Sequence, residues 1–413
     1  PAANGGVNSA MTPQPASAVF QGSGGTVTID NGAGQVSATG MQFAVDGYTV
    51  GGGDLALAGE RMVIRVGDGT AAGAAFTANI GASLTGSATL VKSDLGTLVL
   101  SGTNDYSGGT IVEAGTLVGD TDALRGNIAN NGTLVFDLAS SGTYAGTVTG
   151  TGTTIKAGTG ALTLTGANAT DWQVRAGSLI STSTLFTGDV DLALGASFVF
   201  DQASEGVYSG AITGRGTMVV QGGGAIRFDG DGSAFQGITN VGQSQMLAVN
   251  GMLGGMLNVA AGGRLKGTGT AGSANIAGTI APGNSIGQLK LAGNLAFAAG
   301  SIYEVEADAA GASDRIVVGG TVTIDTNVGV AVLAVDGNYA ANTSYTILTA
   351  AGGVTGTFGA VTSNLAFLTP TLSYAANSVM LNLRRNMVDF ESVAQTRNQR
   401  AVAPAVQALD MGN

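Results

Sequence analysis

Neither cysteine nor histidine occurs in this sequence of 413 residues. Without cysteine there is no disulfide framework and no thiolate metal site. The same absence suits a chain that crosses oxidising space unfolded, because no disulfide can lock an intermediate on the way. Without histidine the commonest general base is missing, and with it the Ser-His-Asp triad and every His-based metal site. Charge is scarce, at 10% of residues, and basic residues are the minority: 16 Lys and Arg against 27 Asp and Glu, a net charge of −11. That balance argues against a nucleic-acid partner. No apolar run approaches the length of a membrane helix, and Pro1 onward shows no signal peptide. The expectation is a leader already removed, or a start inside a longer protein. A disordered linker would be charged and poor in aliphatics, whereas the mean hydropathy here is +0.30.

What the chain has in abundance is glycine, 70 residues of it, without the strict triplet of collagen. It also has a period. Gly132-Thr-Leu-Val-Phe-Asp137 returns as Ala196-Ser-Phe-Val-Phe-Asp201, 64 positions later. Tyr144, Gly146, Gly150 and Gly152 come back as Tyr208, Gly210, Gly214 and Gly216 at the same offset. Leu98-Val99-Leu100, Leu162-Thr163-Leu164 and Ile226-Arg227-Phe228 form a third set. A fixed period is read before local propensity because it decides the architecture. In the three triplets the outer positions stay apolar while the middle one is Val, Thr or Arg. Strand side chains alternate faces, so the outer pair points inward and the middle residue toward water. Short apolar runs divided by Gly, Thr, Asn and Ser are strands and turns. Gly150, Gly152, Gly214 and Gly216 mark the turns, some of them at positive φ. The expected fold is all-β, a right-handed parallel β-helix. Three coils per repeat give roughly 21 residues each, within the range of stacked solenoid units.

The segment from Gly96 through Asn104 and Tyr106 to Leu117, with a second copy from Gly160 through Asn168 to Leu179, resembles the passenger-associated transport repeat of autotransporters. A third copy around Ile226–Met246 is degenerate and lacks the Asn. Read from its residues alone, the motif is one coil with a sharp Asn/Gly corner. Further along, Gly278–Gly287, Tyr303–Glu306, Ser313-Asp-Arg315, Val317–Ile324, Tyr345–Ala350, Gly356-Thr-Phe358 and Val379–Leu383 follow one another as in the C-terminal part of pertactin-like passengers. The resemblance implies an autochaperone region there, whose early folding outside the cell promotes folding of the rest. Beyond Arg384, the apolar set Met387, Phe390, Ala394, Ala401, Ala405 and Leu409 falls near helical spacing. In the family, a helical linker at this point threads a membrane β-barrel, and Asn398–Ala403 is similar to it; Pro404 should kink or end the helix. The resulting division is a loose lead-in over 1–19, a β-helical stalk with the 64-residue super-repeat over 20–266, an autochaperone-like part over 267–383 and a linker over 384–413 toward a barrel absent from the sequence.

Few residues invite a chemical role. Glu304 with Glu306, and Asp229 with Asp231, have the period-two spacing of a glycosidase pair or a Ca²⁺ site, but a solvated strand face and a Gly-rich turn explain them more simply. Gly51–Asp54 is half a calcium-binding nonapeptide and is not repeated. Lys92, Lys156, Arg215 and Arg227 are too scattered for the basic groove of a polysaccharide lyase. Trp172 is a corner filler or an exposed contact. Asp314-Arg315 and Arg384-Arg385 are partner contacts or caps over an apolar end. No catalytic, cofactor-binding or metal residue is assigned. The resemblance implies a surface-exposed or secreted passenger, an adhesin or virulence factor, with its own outer-membrane barrel as partner and host matrix, cell-surface ligands or self-association as further ones. The alternative is an inert spacer for an upstream enzymatic or binding domain.

Overall fold

A computed structural model describes residues 14–410, which divide into two compact units. The first holds the chain up to Gly222 together with Gly230–Gly237, the second Gly223–Asp229 and everything from Ile238 onward. Each is a β-solenoid of parallel strands, as the alternation requires.

In the first unit one sheet runs through Thr97–Leu100, Thr116–Gly119, Thr133–Asp137, Thr153–Ala157 and Trp172–Val174, every step a parallel pairing with the next coil. The inward residues Leu98, Leu100, Leu117, Leu134 and Phe136 are buried, and the residues between them are half-buried on the outside. Burying one such aliphatic side chain contributes about 1.5–3 kcal/mol, and it is the neighbouring coil that does the burying. Aromatic residues fill the wider levels: Phe136 meets Tyr144 edge-on at 4.9 Å and stacks on Trp172 at 5.4 Å. Trp172 is therefore an interior filler, 1% exposed.

The coil length differs from the expectation. Leu98 pairs with Leu117, Leu117 with Leu134 and Leu134 with Thr154, so three coils cover 56 residues rather than 64. Leu162 does not stand in that ladder. It lies in another sheet, pairing with Leu179, which pairs with Phe198. One repeat is thus three coils plus a further side, and each copy of the motif is set on a different face from the last. The physical reason is that every side of a coil imposes the same inward–outward alternation, so one strand–corner–strand sequence fits any of them.

Ala16–Phe20, expected within the loose lead-in, is already a strand in parallel register with Ser37–Phe43, and Phe20 stacks on Phe43 at 4.6 Å. The rest of that lead-in, 1–13, lies outside the described residues.

In the second unit Ala225–Phe228, Met246–Val249, Arg264–Gly267, Thr279–Pro282, Ile302–Ala307, Gly329–Ala334 and Val361–Ser363 form one parallel stack. Ile226 and Phe228 point inward and Arg227 outward, as in the other two copies. Asn342–Ala350 pairs parallel with Arg315–Val318 and also takes Ser378–Arg385 antiparallel; that strand in turn pairs antiparallel with Leu368–Ala375. Val379, Leu381 and Leu383 of this closing hairpin are buried. Helices Phe390–Val393 and Arg397–Asp410 follow. Pro404 does not end the second one, which continues through it. A proline removes one intrahelical donor, and on a helix whose described side chains are exposed almost throughout, water can satisfy the freed carbonyl. No helix among the described residues is long and apolar enough to cross a membrane.

Gly150 and Gly214 turn the chain at φ 103° and 90°, and a Cβ on Gly150 would stand 2.2 Å from the Asn130 carbonyl oxygen. Gly25, by contrast, has open space around it. Gly150→Ala should lower the unfolding free energy by about 2 kcal/mol or more, while Gly25→Ala should change it by less than about 0.5 kcal/mol; paired denaturant titrations check both.

Candidate contact surface and the repeat corners

The paired acids serve the fold locally. Glu304 forms a two-point ion pair with Arg264, whose Nη1 lies 3.1 Å from Oε2, with a shorter contact from Nη2 to Oε1. Asp229 pairs with Arg227 at 2.9 Å and accepts from Asn250 Nδ2. Asp231 accepts the Ser233 amide at 2.9 Å, closing its own turn. Near Gly51–Asp54 it is the Asp54 carbonyl, not its carboxylate, that is engaged, by Asn31 and Gln35. Among the described residues no three acidic side chains converge on a possible metal position. Arg215 donates to Gln236 at 3.1 Å, and Arg315 to Thr349 Oγ1 at 3.3 Å.

Asp314 is the acid that the sequence undersold. It is 1% exposed and accepts the Gly287 amide at 2.8 Å through Oδ1 and the Glu306 amide at 2.9 Å through Oδ2. It thereby ties the turn after Glu306 to the Gly283–Gly287 corner. Burial pushes its carboxyl up to about 7, against the pull of the two amides, with the Glu306 and Glu304 charges adding to the rise.

The outer face of the first unit is regular. Thr77, Thr97, Thr116, Thr133 and Thr153 stand in one register column. Two positions along, Asn79, Val99, Val118, Val135 and Ile155 form a second. Neither column carries a charge, on a chain whose net charge is −11. On another sheet of the same unit, Thr89, Gly108, Gly109, Thr110, Asn127 and Thr149 line a shallow depression of about 360 Å³.

The corners between these faces repeat the same chemistry. Asn104 accepts from the Leu84 amide of the coil before and donates to the Ala123 carbonyl of the coil after; Asn168 likewise accepts from the coil before, at the Val148 amide, but donates to Gly166 in its own corner. Tyr144 donates to the Gly126 carbonyl at 2.5 Å, and Tyr208 to that of Gly188 at 2.7 Å. Lys92 and Lys156, weighed as members of an outer groove, are instead 0% exposed and point into the coil. Their burial was invisible in the sequence except through their common place in the repeat.

The passenger-associated transport repeat family matches residues 90–118 and 155–180, the two segments that hold these lysine and asparagine corners. These two segments carry the repeat of autotransporter passengers. The chain is 38% identical over 232 residues to the adhesin autotransporter BmaC of Brucella suis biovar 1 (strain 1330), and 34% identical over 212 residues to an extracellular serine protease of Serratia marcescens. Each match covers 49% of the chain, but it spans only 7% of the adhesin and 20% of the protease. The printed names of both relatives, an autotransporter adhesin and an extracellular protease, are those of proteins that leave the cell.

The raised Asp314 carboxyl has a definite sign. The folded state holds its proton more tightly than the unfolded chain, so the stability linked to this group is greatest at low pH and is lost as pH rises from about 4 through about 7. Asp314→Asn should flatten that part of the stability–pH curve, measured by denaturant titration between pH 4 and 8.

Proposed function

We propose that this passenger is an adhesive surface stalk and that the threonine and aliphatic columns of the first unit are its contact face. The observation that carries the reading is their register: hydroxyl and branched aliphatic groups recur at each coil, about 4.8 Å apart, on an uncharged strip of an acidic molecule. Such a strip lets a hydroxylated or weakly apolar partner approach without desolvating a charge. The adhesin relative supports this role. A triad like that of a serine protease is not available to these 413 residues, which contain no histidine.

The second unit has the attributes of a folding start. Its closing hairpin seals one end, and buried tyrosines tie distant coils: Tyr303 donates to the Ile347 carbonyl and Tyr345 to that of Asp308, each at 2.5 Å. Coils added later each bury their inner pair on one already formed, so folding can propagate. The same gain opposes slipping back during export.

Two measurements test these readings. Thr116→Lys with Val135→Lys should weaken binding of the purified chain to host matrix or cells about tenfold or more with an unchanged melting temperature. No binding by the wild-type chain at micromolar concentration would favour a spacer instead, a reading that its 7% share of the adhesin keeps alive. Deleting Tyr345–Leu383 should leave the upstream coils open to trypsin; coils that fold and resist as before would refute the folding start.

A further inference from the structure

Four lysines occur in the sequence, and the two buried ones, Lys92 and Lys156, stand 64 positions apart. An ammonium has three N–H donors and no acceptor, so a dry site must offer it three oxygens. Both sites do. Lys92 Nζ donates to the carbonyls of Ser93 at 3.0 Å, Asp94 at 2.8 Å and Ala114 at 3.0 Å. Lys156 Nζ donates to those of Ala157 at 2.5 Å, Gly158 at 2.8 Å and Ala176 at 3.2 Å. In each case two oxygens come from the lysine's own corner and the third from the coil that follows, 22 or 20 residues on.

The surroundings are shaped for this. Asp94 and Gly158 turn at φ 64° and 70°, which brings their carbonyls round to the ammonium. Asp94 is held in that conformation, rare for a residue with a side chain, by Arg65 at 2.8 Å and the Gly69 amide at 3.0 Å. The acceptor residues Ala114 and Ala176 each precede a glycine with positive φ, Gly115 at 66° and Gly177 at 65°. A Cβ on Gly115 would stand 2.7 Å from Lys92 Nζ. The corresponding residue of the third copy is Val220, buried and without a donor, so a coil can close without the ammonium. The lysine must therefore contribute something other than permission to fold.

We propose that the two ammonium cages are latches between successive coils of the transport repeats: the charge, rather than the volume of the side chain, governs how readily one coil peels from the next. Peeling removes the third oxygen while the ammonium is still held in its own corner, and a buried charge stripped of a partner is strongly disfavoured. A valine at the same place loses only packing. Burial draws the Lys92 ammonium down to about 8, opposed by the Asp94 charge, so it remains mostly charged at neutral pH. The latch does not depend on which end of the chain folds first.

The test compares Lys92→Met and Lys156→Met in the complete chain, since methionine fills a similar volume without a donor. Hydrogen exchange at neutral pH should accelerate about tenfold or more at Glu113, whose amide bonds the Lys92 carbonyl, in Lys92→Met alone. It should do so at Arg175, bonded to the Lys156 carbonyl, in Lys156→Met alone. Unchanged exchange, or equal acceleration at both corners in either variant, would overturn the proposal. Should a variant not fold, amine acetylation of the wild-type chain decides: Lys92 and Lys156 should react at least about a hundredfold more slowly than Lys266 and Lys290. Comparable rates at all four would refute the latch.

Discussion

A strand of four residues or fewer cannot hold itself together, and most of the strands here are that short. What supports it is the parallel ladder to the coil before and the coil after, because the same contact pairs the backbone and covers the inward aliphatic residues. The Leu98, Leu117 and Leu134 ladder shows both at once. The sparseness of charge follows from this, since half of each strand faces a dry interior. So does the abundance of glycine: where coils approach closely at a turn, as at Gly150, a methyl group has nowhere to go. The close of the second unit obeys the same constraint. A parallel stack leaves its last coil uncovered, and the antiparallel hairpin of Leu368–Ala375 and Ser378–Arg385 supplies buried side chains there.

The transport repeat takes on a physical meaning within that scheme. Its two matched copies share one sheet of the first unit, where Thr97–Leu100 and Thr116–Gly119 of the first and Thr153–Ala157 and Trp172–Val174 of the second stand in one ladder, but the other strands of each copy lie in a sheet that the other copy does not enter. What they share lies inside and at the corners: a lysine in a cage of carbonyls, an asparagine bridging coils, a left-handed turn at Asp94 or Gly158. The conserved content of the repeat within this chain concerns how a coil is closed. The outward columns are free of that task, so Thr116 or Val118 can vary without disturbing the ladder.

The sequence carried the inward–outward alternation, because a buried position tolerates only a narrow class of side chain; Leu98, Leu162 and Ile226 declared themselves without coordinates. It carried the strand–turn rhythm for the same reason. Coil length was less legible, since the period of a motif and the circumference of a coil are separate quantities, and here they differ. The burial of Lys92 and Lys156 is not legible in the sequence, because charge is a good guide to exposure except where backbone carbonyls replace water, and carbonyls leave no trace there. The buried role of Asp314 is hidden likewise: its two partners are backbone amides of Gly287 and Glu306. Pro404 was weighed by its intrinsic preference, without the solvent that surrounds its helix.

The mismatch between repeat and coil has an evolutionary corollary. Recombination between copies of a tandem sequence gains or loses one whole unit of 64 residues. In a solenoid where that unit equalled a whole number of coils, such an event would change length alone. Here it would also advance the azimuth of the following coils of the first unit by one face, so a single crossover could re-aim their outward side chains without a point mutation.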